Sequence, residues 1–181
     1  TLARAIHTPW PPYQKIGTRQ GDRFIQINTN ILQIENEYYS TVRPKRTTRS
    51  EEKPIQALRA RGVEYIEVRC LDLDPFSPVG VTSSQIDFLD LFLLDCLISE
   101  SPLIGKEECD RLDENYKDVI RLGGSPDLEL RVDGSGQSLQ EAGKRLMARL
   151  EELAAQLDSW QGGETYCHAL AVHQARLDDP T

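Results

Sequence analysis

The sequence predicts an α+β protein in which strands come first and helices follow. Residues Asp22–Ile34 and Gly62–Leu73 show period-two alternation, which is typical of strands because neighbouring side chains point to opposite faces. From Ser84 onward, apolar residues recur at helical spacing instead. Strand and helix signals that are segregated along the chain favour α+β over alternating βαβ units. We therefore expect a strand-rich part over residues 1–81 and a mainly helical part over residues 82–181.

The strand-rich part opens on apolar residues typical of a helix end. Pro11 and Pro12 stop that helix because proline lacks an amide hydrogen and restricts its neighbour. In the first predicted strand, isoleucines alternate with the amides Gln26, Asn28 and Asn30, so one face is apolar and the other is amide-rich. An amide-rich face suits either a solvated edge or the lining of a polar pocket.

A basic cluster follows at Arg43–Lys53, in a chain that is acidic as a whole. Its proline and its Thr-Thr-Arg-Ser sequence predict a loop. Such a loop is either a solvated surface or a segment that meets phosphate or carboxylate groups.

The helical part contains four predicted helices and one short strand. The first helix is apolar on nearly all sides, which predicts burial, and the second is amphipathic. Ser138 and Glu141 form a capping-box signature at the start of the third helix, and Gly162 ends it. The predicted bounds are Ser84–Glu100, 105–122, a strand at 127–133, a helix from Ser138 to Gly162, and a last helix at 164–177.

Composition restricts the classes of function. The 181 residues are 39% hydrophobic and 28% charged, as in folded soluble proteins. The net charge of -8 argues against a nucleic-acid partner, which requires a basic face. The most apolar run, Ile86–Ile98, is too short to span a membrane and contains three aspartates. Four cysteines without paired spacing, and no signal peptide, predict reduced thiols in a cytoplasmic protein.

Glu67 and Arg69 are the sharpest chemical feature of the sequence. They share one face of the second predicted strand, whose other face is apolar. A carboxylate there can hold a divalent cation, and a guanidinium beside it can grip a phosphoryl oxygen, which together equip a site for phosphoryl transfer. The alternative is a structural ion pair at a sheet surface.

Any nucleotide site must use side chains of a sheet face together with metal ions. The sequence has no G-x-x-x-x-G-K-[ST] and no G-x-G-x-x-G, the glycine loops that cradle phosphates. The three histidines, His7, His168 and His173, have neither a nucleophile nor a metal partner at readable spacing, so they are interpreted as ordinary surface or helix residues.

Several long motifs in order resemble the proteobacterial glutamate–cysteine ligases. Ile31–Tyr39 resembles that family's L-Q-I-E-N-E-x-Y segment, and Arg43–Arg46 follows in the same register. Tyr65–Asp72 resembles Y-I-E-V-R-x-L-D, and Asp74–Pro78 resembles N-P-F-S-P at the family's spacing. The helical half also follows the family pattern, so the resemblance covers nearly the whole chain.

The resemblance implies part of a glutamine-synthetase-like antiparallel catalytic sheet, followed by a helical C-terminal half. It implies that ATP phosphorylates the side-chain carboxylate of glutamate, that Mg²⁺ organises this step, and that the amine of cysteine then attacks, the first step of glutathione biosynthesis. Carried over motif by motif, it makes Glu67 a metal ligand and Arg69 the catalytic contact of the transferred phosphoryl group. It makes Tyr39 a substrate-binding residue for the carboxylate of the incoming cysteine.

The family's other metal-binding carboxylates and substrate pockets lie in an N-terminal part that these residues lack. We therefore expect the chain to be the C-terminal part of the enzyme and to be inactive without its N-terminal part. One alternative is a related carboxylate–amine ligase with another amine acceptor. A second is a non-catalytic helical interaction module over residues 82–177. A concavity beside Glu67 and Arg69 would favour the enzyme, whereas a flat, solvated face would favour the module.

Overall fold

The computed structural model describes residues 2–132 and 134–179, apart from the side chain of residue 3. The chain divides into two compact units, Thr1–Asp72 and Leu73–Thr181. Among these residues, helices occur together with three antiparallel two-stranded sheets, which confirms the predicted α+β class, although short helices in the first unit and a hairpin in the second show that strands and helices are not segregated along the chain. The division predicted between residues 81 and 82 concerned domains and stays a prediction.

The first unit is built from short elements. Two of them are two-residue strands joined in a hairpin, and one is a single turn of 3₁₀ helix at Glu35–Glu37. The elements are α1 (Leu2–Ala5), α2 (Pro11–Ile16), β1 (Arg19–Gln20), β2 (Arg23–Phe24), β3 (Val42–Lys45), α3 (Pro54–Arg61) and β4 (Tyr65–Val68).

The strand predicted over Asp22–Ile34 is wrong beyond β2. Its amide side chains bind backbone groups instead of lining a strand face. Gln26 Nε2 donates to the carbonyl oxygen of Gly17 at 2.7 Å, and Asn30 Nδ2 donates to that of Ile6 at 2.8 Å. Asn28 Oδ1 accepts from the amide of Asn30 at 2.8 Å. Side-chain bonds to backbone groups compete with a strand ladder, and the period-two pattern does not reveal them.

The loop predicted from Arg43 is also partly wrong, because β3 forms there and pairs with β4 in antiparallel register. Pro44 lacks an amide hydrogen but is tolerated in a strand at the edge of a sheet. The strand predicted over Gly62–Leu73 is confirmed only for its central part, Tyr65–Val68. Helix α3 was not predicted; it begins at Pro54, a residue favoured at a first helical position.

Within its described residues, the second unit contains four helices and one hairpin. All four predicted helices are confirmed, and the capping box at Ser138 and Glu141 is present. The predicted strand is confirmed as β5, although residue 133, its last predicted position, lies outside the described residues. Its partner β6 was not predicted. The elements are α4 (Ser83–Ile98), α5 (Lys106–Leu122), β5 (Glu129–Val132), β6 (Ser135–Ser138), α6 (Leu139–Gln161) and α7 (Thr165–Asp178).

The core of this unit lies between α4, α6 and α7. Leu91 of α4 and Leu150 of α6 are fully buried there, together with Met147, Ala154 and Leu170. Met147, Leu150 and Ala154 recur every three or four positions along α6, which gives that helix one continuous apolar side. Burial of this side against two neighbours stabilises the helices through removal of apolar surface from water.

Helix α4 is less buried than its composition predicts. Leu91 is enclosed, but Leu97 and Ile98 near the helix end are largely exposed. The predicted burial is therefore wrong at both ends of the helix, because Ile86 in its first turn is also half exposed. None of the described helices combines the length and the hydrophobicity needed to cross a membrane. The four cysteines are free and exposed.

Helix α5 turns its polar side toward the β5–β6 hairpin. Asn115 Nδ2 donates to the carbonyl oxygen of Arg131 at 3.0 Å, and the backbone amide of Arg131 donates to Asn115 Oδ1 at 2.9 Å. Arg131 Nη1 also lies 2.8 Å from Asp118 Oδ2. The predicted amphipathic helix is confirmed, but its apolar stripe is exposed. That stripe is formed by Leu112, Tyr116 and Ile120.

Asp158 of α6 joins the C-terminal hairpin of helices by binding the first turn of α7. Its carboxylate accepts hydrogen bonds from the amides of Tyr166 at 2.9 Å and Cys167 at 2.8 Å. These amides have no partner within their own helix, so the carboxylate supplies one. Burial raises the pKa of Asp158, but the amide hydrogen bonds outweigh it and hold the pKa below the ordinary value of 3.8.

We expect Asp158→Asn to lower the melting temperature of the chain at pH 7 and to have less effect near pH 3. A carboxyl whose pKa is lowered by folding contributes stability above its unfolded pKa, and this stability is lost as pH falls through the folded pKa. Thermal unfolding at both pH values measures it. Glu151→Gln, on the exposed side of α6, is the control. An equal effect of Asp158→Asn at both pH values would exclude a role of its charge.

Candidate active site

The predicted site residues lie on and beside the β3–β4 sheet. In the antiparallel register Arg43 is opposite Glu67 and Lys45 is opposite Tyr65, so these four side chains share one face. Arg69 continues the line after the strand, because its amide donates to the carbonyl oxygen of Thr41 at 2.7 Å. The alternation predicted for the second strand therefore places Glu67 and Arg69 on one face, as expected.

Glu67 is bound by two basic side chains. Arg69 Nε donates to Glu67 Oε1 at 2.7 Å, and Lys45 Nζ lies 3.2 Å from Oε2. The hydrogen bond from Arg69 is the main reason that the pKa of Glu67 is lowered, and Lys45 lowers it further. Both contacts favour the carboxylate form of Glu67, which is the form that binds a cation.

The two oxygens of Glu67 differ in their surroundings. Oε1 has its hydrogen bond to Arg69, whereas Oε2 is buried and has no partner with hydrogen-bond geometry among the described residues. The contact of Oε2 with Lys45 is therefore one of charge and proximity. A metal cation could take the place of the Lys45 ammonium at this oxygen, so Oε2 is a candidate ligand atom.

Arg69 is held on two sides. Glu67 accepts from its Nε, and the guanidinium carbon lies over the ring of Tyr39, 5.7 Å from the ring centroid. Among the described residues, Glu67 is the acceptor of this guanidinium, so its two terminal nitrogens remain as donors for a ligand. The structure thus brings Tyr39, Glu67 and Arg69 together in one cluster.

A cavity of about 770 Å³ adjoins this face in the same unit. Four basic side chains line it, Arg43, Lys45, Arg46 and Arg59, together with Tyr65. Glu67 and Arg69 are not among its lining residues, but Lys45 touches both the cavity and Glu67. The face is therefore neither flat nor fully enclosed, and the adjoining concavity is strongly basic.

Lys45 is the site residue that sequence reasoning missed. The basic cluster was recognised, but it was predicted to be a loop, and a loop gives no register against β4. Once Val42–Lys45 pairs with Tyr65–Val68, Lys45 lies diagonally across from Glu67, a distance that a long side chain spans. The sequence offered one sign of a strand here, a β-branched residue beside the basic cluster, but this sign was too weak to assign a strand.

A family model described as glutamate-cysteine ligase matches residues 1–119. The chain belongs to the glutamate–cysteine ligase family. The enzyme named glutamate–cysteine ligase of Hahella chejuensis is 51% identical over 185 residues, which cover 100% of this chain and 35% of that protein. The one of Pseudomonas putida (strain W619) is 50% identical over 179 residues, with 99% and 34% covered. The chain thus spans about a third of the length of these ligases.

A solved ligase structure shares the fold. The crystal structure of the glutamate–cysteine ligase of Francisella tularensis in complex with AMP matches with a TM-score of 0.87 at 34% identity. The match covers 99% of this chain and 36% of that ligase. The predicted fold, a portion of a glutamine-synthetase-like antiparallel sheet followed by a helical half, is confirmed.

Proposed function

We propose that this chain forms part of the active site of an ATP-dependent ligase. The ligase joins the side-chain carboxylate of glutamate to the amine of cysteine, the first step of glutathione biosynthesis. The observation that carries the proposal is the cluster of Tyr39, Glu67 and Arg69 beside a basic cavity, in a chain of the glutamate–cysteine ligase family. The AMP bound by the Francisella relative supports a nucleotide as co-substrate.

In the proposed first step, an oxygen of the glutamate side-chain carboxylate attacks the γ-phosphorus of ATP. The bond from that phosphorus to the bridging oxygen breaks, and ADP leaves with the electron pair, so an acyl phosphate forms. The terminal nitrogens of Arg69 bind oxygens of the moving phosphoryl group, where negative charge must be stabilised. The basic cavity beside Lys45 suits the remaining phosphates.

In the proposed second step, the amine of cysteine attacks the acyl carbon. A carbon–nitrogen bond forms, phosphate leaves with the electron pair of the carbon–oxygen bond, and the nitrogen loses a proton to solvent. Tyr39 is suited to bind the carboxylate of cysteine, because its side chain is 67% exposed and its phenol is a hydrogen-bond donor.

Glu67 fits a share of a Mg²⁺ site. Its buried Oε2 lacks a hydrogen bond, and Mg²⁺ is commonly held by one or two carboxylates together with substrate phosphates and water. Within residues 2–132 and 134–179, no three His, Cys, Asp or Glu side chains are grouped to hold a metal, so the other ligands must come from elsewhere. When bound, the metal would neutralise charge on the phosphate oxygens.

The full-length ligase is a polypeptide that contains these 181 residues and is as long as the relatives. In it, we expect Glu67→Gln to raise the Mg²⁺ concentration needed for half-maximal rate. Glutamine keeps the shape and can accept from Arg69, but it loses the charge that attracts the cation, so excess Mg²⁺ should restore part of the rate. Steady-state rates across a Mg²⁺ titration measure the effect.

Glu64→Gln is the matched control for this titration. Glu64 lies next to β4, pairs with Arg46 and accepts from the amide of Thr47 at 2.9 Å, but it is outside the cluster. Its variant should leave the Mg²⁺ dependence unchanged. If the defect of Glu67→Gln is the same at every Mg²⁺ concentration, Glu67 belongs to a structural ion pair.

The acceptor is tested by comparing amines in the full-length ligase. Glutamate-dependent ADP release should be fastest with cysteine, and a faster rate with another amine would indicate the related carboxylate–amine ligase.

The 181 residues by themselves should show no turnover, because one carboxylate cannot assemble the metal site. A full-length protein that binds neither ATP nor glutamate would favour the interaction module over the enzyme.

A further inference from the structure

Tyr39 is an exposed aromatic residue whose ring faces an arginine. It follows the 3₁₀ turn Glu35–Glu37 and precedes β3, and its side chain is 67% exposed, so burial in a core does not explain its ring. The ring lies under the guanidinium carbon of Arg69, 5.7 Å from centroid to carbon. A cation at this distance from an aromatic face is attracted by the ring electrons.

Backbone pairing brings Tyr39 and Arg69 close together. The amide of Arg69 donates to the carbonyl oxygen of Thr41 at 2.7 Å, which extends the β3–β4 pairing by one more rung. Tyr39 lies two residues before Thr41, so the register of the sheet brings its backbone near that of Arg69.

Glu67 and Tyr39 restrict Arg69 in complementary ways. The hydrogen bond from Nε to Glu67 Oε1, 2.7 Å long, fixes one edge of the guanidinium. The ring of Tyr39 lies against one face of the guanidinium and limits its movement in that direction. An arginine side chain otherwise loses much rotamer freedom when it must grip a phosphoryl group, and a site that is already oriented avoids this loss at the moment of reaction.

We propose that the ring of Tyr39 positions Arg69 for phosphoryl transfer, while its hydroxyl serves the amine substrate. This inference rests on the proposed function and adds a second role to one residue. Removal of the ring should slow the transfer of the phosphoryl group to glutamate even when cysteine is absent. Removal of the hydroxyl alone should act on cysteine.

The test compares Tyr39→Leu, Tyr39→Phe and Tyr39→Trp in the full-length ligase. Single-turnover transfer of the γ-phosphoryl group to glutamate is followed without cysteine, and the KM for cysteine is measured separately. Tyr39→Leu should slow the transfer by about 2- to 5-fold, the range that a cation–π contact at an exposed site supports. Tyr39→Phe and Tyr39→Trp should recover most of that rate, and Tyr39→Phe should still raise the KM for cysteine.

Phe24→Leu is the matched control. Phe24 also lies under an arginine, with Arg19 Cζ 4.0 Å from its centroid, and its side chain is 65% exposed, but it is outside the cluster. If Tyr39→Leu transfers the phosphoryl group as fast as Phe24→Leu, or if Tyr39→Phe is as slow as Tyr39→Leu, the positioning role is wrong. Absence of transfer in the wild type would instead overturn the proposed function itself.

Discussion

The Arg69→Lys variant of the full-length ligase is expected to lose about 10²–10³ in kcat, the cost typical of one transition-state donor. The KM values for glutamate and cysteine should change far less. Interactions that strengthen only in the transition state appear in kcat, whereas contacts made equally to bound substrate appear in KM. Steady-state kinetics with each substrate varied in turn measure the two effects separately.

The geometry of Arg69 explains why a positive charge alone, which lysine keeps, is insufficient for catalysis. Its Nε is committed to Glu67, which leaves two terminal nitrogens for a ligand. Lysine has one ammonium group, so it can satisfy Glu67 or a phosphoryl oxygen but cannot grip two phosphoryl oxygens with a planar fork. The same substitution also weakens the contact with the ring of Tyr39.

Arg19→Lys is the control for this substitution. Arg19 carries the same charge and also packs on an aromatic ring, that of Phe24, outside the proposed site. Its variant should keep kcat within about twofold, as expected for a surface change away from the chemistry. A kcat for Arg69→Lys near that of Arg19→Lys would mean that Arg69 only neutralises Glu67.

The second large effect is expected on stability. Arg149→Ala should destabilise the second unit by about 2–4 kcal/mol, because it leaves the carboxylate of Asp95 without its partner. Arg149 Nε and Nη2 lie 3.1 and 2.5 Å from the two oxygens of Asp95, which joins α6 to α4. The side chain of Asp95 is only 6% exposed, whereas that of Arg149 is 56% exposed, so the cost falls on the carboxylate.

Hydrogen exchange of the amides of α4 and α6 measures this destabilisation without mixing in the first unit. Lys144→Ala, which lies on α6 like Arg149, is the control. Lys144 pairs with Asp178 at 3.8 Å, both half exposed, and its loss should change stability by less than about 1 kcal/mol. The double variant Asp95→Leu with Arg149→Leu should recover much of the loss, since no buried charge remains. A double variant as unstable as Arg149→Ala would contradict this account.

Helices with strong local signals were predictable. The third predicted helix begins at the capping box of Ser138 and Glu141, both visible three residues apart in the sequence. It ends at Gly162, whose φ of 77° favours glycine. Such signals act within a few residues, so they need no knowledge of the rest of the chain.

Segments governed by side-chain to backbone bonds were not predictable in this way. The pattern around Gln26, Asn28 and Asn30 alternates as a strand does, but the amides bind carbonyl groups as distant as Ile6. A period of two cannot distinguish a polar strand face from amides that replace the strand ladder. Helix α5 shows a related limit, because its amphipathic pattern gave no sign that Asn115 and Asp118 on its polar side would contact the β5–β6 hairpin.

The sequence by itself determined the α+β class, the main helices, and the placement of Glu67 and Arg69 on one strand face. It also determined the family through its motifs, and with it the candidate role of Tyr39. Only the tertiary structure decided that Lys45 reaches Glu67 and that Tyr39 lies against Arg69. The physical reason is that alternation along one strand fixes its two faces, whereas contacts across strands depend on register, which the β3–β4 pairing alone sets.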